Sequence, residues 1–117
     1  MFCATIVLAF ASFAQQQTLR IATEGANPPF STINSSGELE GFDVDIAHAL
    51  CTKMGAECEL RAQDWDGIIP ALLARKYDAI IASMNVTEDR KSVVAFTKPY
   101  YHSPGAFVVR KGTDTHD

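Results

Sequence analysis

Trp65–Lys91 reads WDGIIPALLARKYDAIIASMNVTEDRK, and within it the hydrophobic period changes twice. Asp64 or Asp66 can cap a helix that runs through Pro70, placed in its first turn, to Arg75, with Ala71-Leu72-Leu73-Ala74 as strong helix formers. Asp78–Ser83 (DAIIAS) then forms a near-continuous apolar run. Such a run predicts a central strand buried on both faces, the mark of a parallel sheet covered by helices. Thr87 follows as an N-cap, with Glu88 and Asp89 in the first turn of a helix reaching Val94.

The same alternation extends upstream. Leu19–Thr23 (LRIAT) alternates apolar and polar residues as a short strand, and Cys58–Gln63 (CELRAQ) reads as another. Between them, Phe42, Ile46, Leu50 and Met54 recur at steps of four with Ala47 and Cys51 beside them, while Asp43, Asp45 and Lys53 point elsewhere. This predicts an amphipathic helix from Phe42 to Gly55 with acidic residues at its N-terminus, where the macrodipole favours them. Glu24–Gly41, rich in Pro, Asn, Ser and Gly, is a loop with a small hairpin turning at Ser36-Gly37. Downstream, Phe96–Tyr101 crosses irregularly past Pro99, and Ala106–Arg110 (AFVVR) is expected as a last strand. Strands alternating with helices imply crossovers and an α/β layer fold with a mostly parallel sheet.

Length and composition set the class. The 117 residues fit one domain, with 47% hydrophobic and 21% charged residues and a net charge of −4. That balance lacks the clustered Lys and Arg a nucleic-acid binder needs to neutralise phosphates. Met1–Ala14 is uncharged, and it is too short for a membrane span, which takes about 20 apolar residues. It suits the apolar part of a secretory signal peptide with Ser12-Phe13-Ala14 as the cleavage site, leaving a mature chain of residues 15–117. No Lys or Arg precedes the run, so the leader is expected to be shortened at its start. Cys3 would leave with it, and the remaining pair, Cys51 and Cys58, can meet through a reversal at Gly55. Two buried free thiols are the alternative; the secretory leader favours the bridge.

Catalytic signatures are missing from this sequence. No GxGxxG, P-loop, GxSxG or HExxH is present, and His48, His102 and His116 have no mutual metal-ligand spacing. Asp43/Asp45 and Asp64/Asp66 fit helix capping better than a carboxylate dyad. No metal and no cofactor is implied. A binding crevice has more support, because ligands of open parallel sheets sit outside the carboxyl ends of the strands. Those ends would deliver Glu24, Trp65, Ser83, Asn85 and Arg90. A guanidinium can grip a carboxylate bidentately. Glu24 can take an ammonium or a cationic side chain, and Trp65 offers a stacking face. Taken singly, each has a plainer role: Arg90 pairing with Glu88 or Asp89, Trp65 in the core, Glu24 solvated. Their convergence favours the crevice.

Four motifs, IATEGANPPF (Ile21–Phe30), GELEGFDVDIAHALC (Gly37–Cys51), WDGIIPALLARKYDAIIASMNVTEDRK (Trp65–Lys91) and FTKPYY (Phe96–Tyr101), resemble the polar amino-acid binding proteins of bacterial ABC transporters. The resemblance is nearest to binders of lysine, arginine, ornithine, histidine and opines. It implies the type II periplasmic binding fold, here an incomplete three-layer αβα lobe, the N-terminal of two that close on the ligand. It implies a disulfide between Cys51 and Cys58. By position, Arg90 would bind the α-carboxylate with Ser83 and the backbone around Ala82, Met84 and Asn85. Trp65 would be the aromatic platform, and Glu24 the reader of a cationic side chain. Asn27 stands where an aromatic residue usually stacks on the ligand; Ala82 and Asn85 stand where hydroxyl residues are common. The chain ends about where the crossover to a second lobe would start. The implied partners are a polar, basic amino acid or opine and a membrane permease, with the protein a periplasmic monomer that binds without chemistry. A cyclohexadienyl dehydratase-like enzyme, with Glu24 as acid or base, and an extracellular sensor module share the fold.

Overall fold

The computed structural model describes residues 18–113; the expected signal peptide, Met1–Ala14, lies outside them. The chain divides into two compact units at Met84/Asn85.

In the first unit, β1 (Leu19–Thr23) is followed by three short strands, β2 (Ala26–Asn27), β3 (Ser31–Ile33) and β4 (Leu39–Glu40). Helix α1 (Phe42–Met54), strand β5 (Cys58–Ala62), helix α2 (Trp65–Leu73) and strand β6 (Ala79–Ile80) complete it. β1 pairs in parallel with β5 from Leu19↔Cys58 to Thr23↔Ala62, and with β6 through Ile21↔Ala79 and Ala22↔Ile80. The order β5-β1-β6 follows from two crossovers, one through each helix. Alternation along β1 sends Ile21 to one face, packed on Ala47 and Cys51 of α1, and Ala22 to the other, packed on Ile68 of α2 and Ala82. The result is the expected αβα layering with a parallel sheet.

The strand expected over Asp78–Ser83 keeps its two-faced packing, with Ile81 on the α1 side and Ile80 on the α2 side. Its position differs. β1 is the centre of the sheet among the described residues, and β6 is a two-residue strand at its edge. An apolar run reports that both faces are covered and says nothing about how many neighbours the backbone has.

Helix α1 ends as expected at Gly55, whose φ of 63° turns the chain so that the Ala56 N–H reaches back to the Cys51 carbonyl at 3.0 Å. It is preceded at the N-cap by Gly41, where a Cβ would stand 2.6 Å from the Phe30 carbonyl oxygen, so only glycine fits. Its buried face is a correction. Asp43, Val44, Ala47 and Cys51 face the sheet, while Phe42, Leu50 and Met54 are exposed. The small residues let α1 approach closely, and Cys51 is tied by a disulfide to Cys58 at the start of β5. The larger residues therefore flank the contact line.

Helix α2 starts at Trp65, with Asp64 at the N-cap position but making no side-chain cap bond. That early start puts Pro70 inside the helix rather than in its first turn, and the helix ends at Leu73, short of Arg75. β2, β3 and β4 form a separate antiparallel sheet. The β3–β4 turn is held by Asn34, whose Oδ1 accepts from the N–H groups of Ser36 and Glu38, with Gly37 at φ 82° as expected for this hairpin.

In the second unit, α3 (Glu88–Lys91) is capped by Thr87 as expected, and a helical bond from Val94 N–H to the Arg90 carbonyl extends the turn. Ala106–Arg110 is not a strand: Phe107 and Val108 are fully exposed. Alternation supplies β-propensity, but a strand exists only by pairing, and no described segment pairs with this one.

Arg20 and Asp78 pin β1 to the start of β6. The Arg20 Nε and Nη2 groups donate to the two Asp78 carboxylate oxygens at 2.9 and 2.8 Å. This hydrogen-bonded guanidinium holds the Asp78 carboxyl down at about 2. A depressed carboxylate contributes stability above its unfolded value and loses it as the pH falls through the folded one. The stability difference between the unaltered chain and Arg20→Gln should therefore be constant above about pH 4 and vanish towards pH 2, read by urea unfolding at stepped pH. The Cys51–Cys58 bridge closes a short loop, so the Cys51→Ser/Cys58→Ser chain should lose roughly 2–3 kcal/mol in the same assay.

Candidate functional site

The three parallel strands of the first unit end on one edge, and each hands over to a segment with polar groups. After β1, Thr23 is buried and Glu24 is half-buried. The chain then turns at Gly25, whose N–H donates to the buried Ser31 Oγ at 3.1 Å, and Asn27 lies half-buried in β2. After β5, the Gln63 N–H donates to the Thr23 carbonyl at 2.8 Å, binding the two strand ends together just before Trp65. Trp65 opens α2, half-buried against the cluster of Ala22, Ile68 and Ala82. It is thus part of the core wall while keeping some exposed surface. After β6 come Ala82, Ser83 and Met84. Ala82 is 3% exposed and its methyl belongs to the core, so it can serve a ligand only through its backbone. Met84 packs at the border of the same cluster.

Ser83 departs from ordinary strand geometry. Its φ is 47°, in the left-handed region, and its Oγ donates to Asp43 Oδ1 at 2.8 Å. With its one hydroxyl proton used on Asp43, Ser83 can donate to a ligand carboxylate only through its backbone N–H.

Asn85 and Arg90 belong to the second unit. The Arg90 Nη1 group donates to the Asn85 carbonyl at 2.8 Å, and the Arg90 backbone N–H donates to Thr87 Oγ1 at 3.3 Å. Glu88 is engaged by Lys91 Nζ at 2.8 Å. The local turn thus fixes Arg90 at both its backbone and its guanidinium. Glu24, Asn27, Trp65, Ala82, Ser83 and Met84 share the strand-end edge of one unit, and Asn85 and Arg90 share one turn of the other.

Asp43 is the residue that sequence reasoning assigned elsewhere. Its sequence position puts it among the outward acidic groups of the helix N-terminus, yet it is 1% exposed. The signal was its spacing: Asp43, Ala47 and Cys51 recur at steps of four, on the face the small residues mark as buried. A groove of about 520 Å3 lies elsewhere, between the hairpin, α1 and β5, lined by Leu39, His48, Glu59 and Arg61 among others. None of the candidate residues lines it, and its Glu59 and Arg61 pair with each other. Among the described residues, no group of three or more His, Cys, Asp or Glu side chains is placed to hold a metal ion.

Residues 19–116 match the sequence profile of the bacterial extracellular solute-binding proteins, family 3. The chain belongs to this family. Among curated relatives it is 47% identical over 111 residues to the L-arginine-binding protein of Pseudomonas aeruginosa, covering 95% of this chain and 43% of that protein. It is 43% identical over 117 residues to the octopine-binding periplasmic protein of Rhizobium meliloti, covering all of this chain and 40% of the relative. The chain therefore spans about two-fifths of the length of these solute-binding proteins. Among solved structures, it is similar to the arginine-bound form of domain 1 from TmArgBP. That match has a TM-score of 0.68 and 40% identity, over 72% of this chain and 67% of that domain. The parallel sheet and its helices are thus a partial type II periplasmic binding protein domain.

Because Thr87 caps the turn that carries Arg90, Thr87→Ala should destabilise it by about 1 kcal/mol. The expected sign is faster amide hydrogen exchange at Arg90 and Lys91 with no change in β1.

Proposed function

We propose that this chain, over residues 15–117, is the N-terminal lobe of a periplasmic solute-binding protein. It binds a basic amino acid or opine without chemistry and serves an ABC-transporter permease. The observation that carries the reading is the delivery of Glu24, Trp65 and Ser83–Met84 to the carboxyl edge of one parallel sheet. An anionic side chain, an aromatic wall and main-chain groups are the set that a zwitterion with a cationic side chain requires. The relatives' ligands agree in class: arginine for one and octopine for another.

In this reading Arg90 holds the α-carboxylate, with the backbone of Ser83, Met84 and Asn85. Glu24 takes the cationic side chain and Trp65 lies along it. Asn27 adds a hydrogen-bonding group at the mouth in place of a stacking ring. That arginine was captured on domain 1 of TmArgBP supports binding by one lobe without its counterpart. The periplasmic names of the relatives support the compartment.

Calorimetric titration of the oxidised chain with arginine, lysine, histidine, octopine, glutamine and glutamate tests this. Saturable heat is expected from the cationic ligands and not from glutamate. Arg90→Ala should cost two charge-assisted hydrogen bonds of about 1.5–3 kcal/mol each, roughly 10²–10⁴ in affinity, with an unchanged circular dichroism spectrum. An unchanged affinity in that variant would sink the site assignment.

A further inference from the structure

Two described residues other than glycine have positive φ: Arg75 at 59° and Ser83 at 47°. Arg75 is exposed just past the end of α2, a place where helices commonly pass through the left-handed region. Ser83 is different. It is half-buried, it follows a strand, and an L-residue there carries a steric penalty. Something must offset that penalty, and the structure shows one candidate: the Ser83 hydroxyl is bonded at 2.8 Å to the buried carboxylate of Asp43, 40 positions away on α1. Burying a carboxylate is unfavourable unless it is hydrogen-bonded, and the Ser83 hydroxyl satisfies its Oδ1, so the bond holds Ser83 in its turn while offsetting part of the cost of burying Asp43.

We infer that Asp43 is a positioning residue for the ligand edge. By accepting the Ser83 hydroxyl proton it locks the chain after β6 in its left-handed turn, and so sets where the main-chain groups of Ser83 and Met84 stand. The inference rests on the reading of that edge as the amino-acid site. It assigns Ser83 a different task from direct side-chain contact: its hydroxyl serves the fold of the loop, and its backbone serves the ligand. It also explains an aspartate on the sheet-facing side of α1, where Val44, Ala47 and Cys51 are its neighbours in burial.

The test compares glycine with alanine at position 83 in the full oxidised chain. Both remove the hydroxyl, but only glycine adopts positive φ freely. An ordinary site favours alanine, because glycine gains more entropy on unfolding. Here Ser83→Gly should exceed Ser83→Ala in its folded-to-unfolded ratio by roughly 2–15-fold in urea unfolding, the left-handed penalty of alanine less the entropy cost of glycine. Alanine equal to or above glycine would overturn the inference. Asp43→Asn, which keeps an acceptor oxygen, should hold arginine nearly as the unaltered chain does in calorimetry. Asp43→Ala should weaken it roughly tenfold or more, and adding Ser83→Gly should recover most of that loss. A double variant no better than Asp43→Ala would assign Asp43 a purely structural role and contradict the proposal. If Asp43→Ala does not fold, the glycine–alanine order still decides. If the unaltered chain gives no heat with arginine, the ligand reading fails, while the unfolding series separately decides the lock.

Discussion

Both edges of β1 are hydrogen-bonded, to β5 along its whole length and to β6 near its end, and both of its faces are covered. Five residues therefore join every element of the parallel sheet. Ile21 seats α1 and Ala22 seats α2, and the carbonyls of Arg20, Ala22 and Thr23 receive the N–H groups of Asp78, Ile81 and Gln63. Because the strands are parallel, anchoring them to one central strand also brings their carboxyl ends to one edge. The candidate site of the first unit is a consequence of that register. Its polar groups are placed by where the ladder stops.

The sheet is apolar through its middle and becomes polar at that edge. Thr23, Ser31 and Asp43 are the buried polar side chains among the described residues. Ser31 accepts from the Gly25 N–H and Asp43 accepts from Ser83, so two of them hold the loops that leave β1 and β6. This division of labour suits a binding module. Side chains beneath the surface shape the loops that leave the strand ends.

Much of the architecture was legible because local signals agreed with the global fold. Leu19–Thr23 has the bounds its alternation implies, Gly55 ends α1, Thr87 caps α3, and Cys51 meets Cys58 across the turn between them. The misses share a cause: each depended on a partner that the local sequence does not name. Ala106–Arg110 has the composition of a strand and, among the described residues, no strand beside it. Asp78–Ser83 has the composition of a central strand, yet among the described residues β1 takes the centre, because the first crossover sets β5 on one side of it and the second carries the chain from β5 past it to β6. Phe42, Leu50 and Met54 outweigh Ala47 and Cys51 in hydrophobicity, but close approach to the sheet favours the small residues. Asp43 reads as a helix-terminal charge until Ser83 is seen opposite it. Glu24 and Trp65 follow the ends of β1 and β5, as their places in the sequence imply, and a binding role for either rests on the family resemblance.

The central claim is that a cationic amino acid docks on the edge where the parallel strands end. The most direct measurement is residue-by-residue: backbone amide and Trp65 indole shifts of the isotope-labelled, oxidised chain during titration with arginine. The account predicts saturable changes concentrated at Glu24–Asn27, Trp65, Ala82–Asn85 and Arg90, with β1 and the groove at His48, Glu59 and Arg61 unmoved. Changes centred on that groove, with the strand-end residues silent, would contradict it.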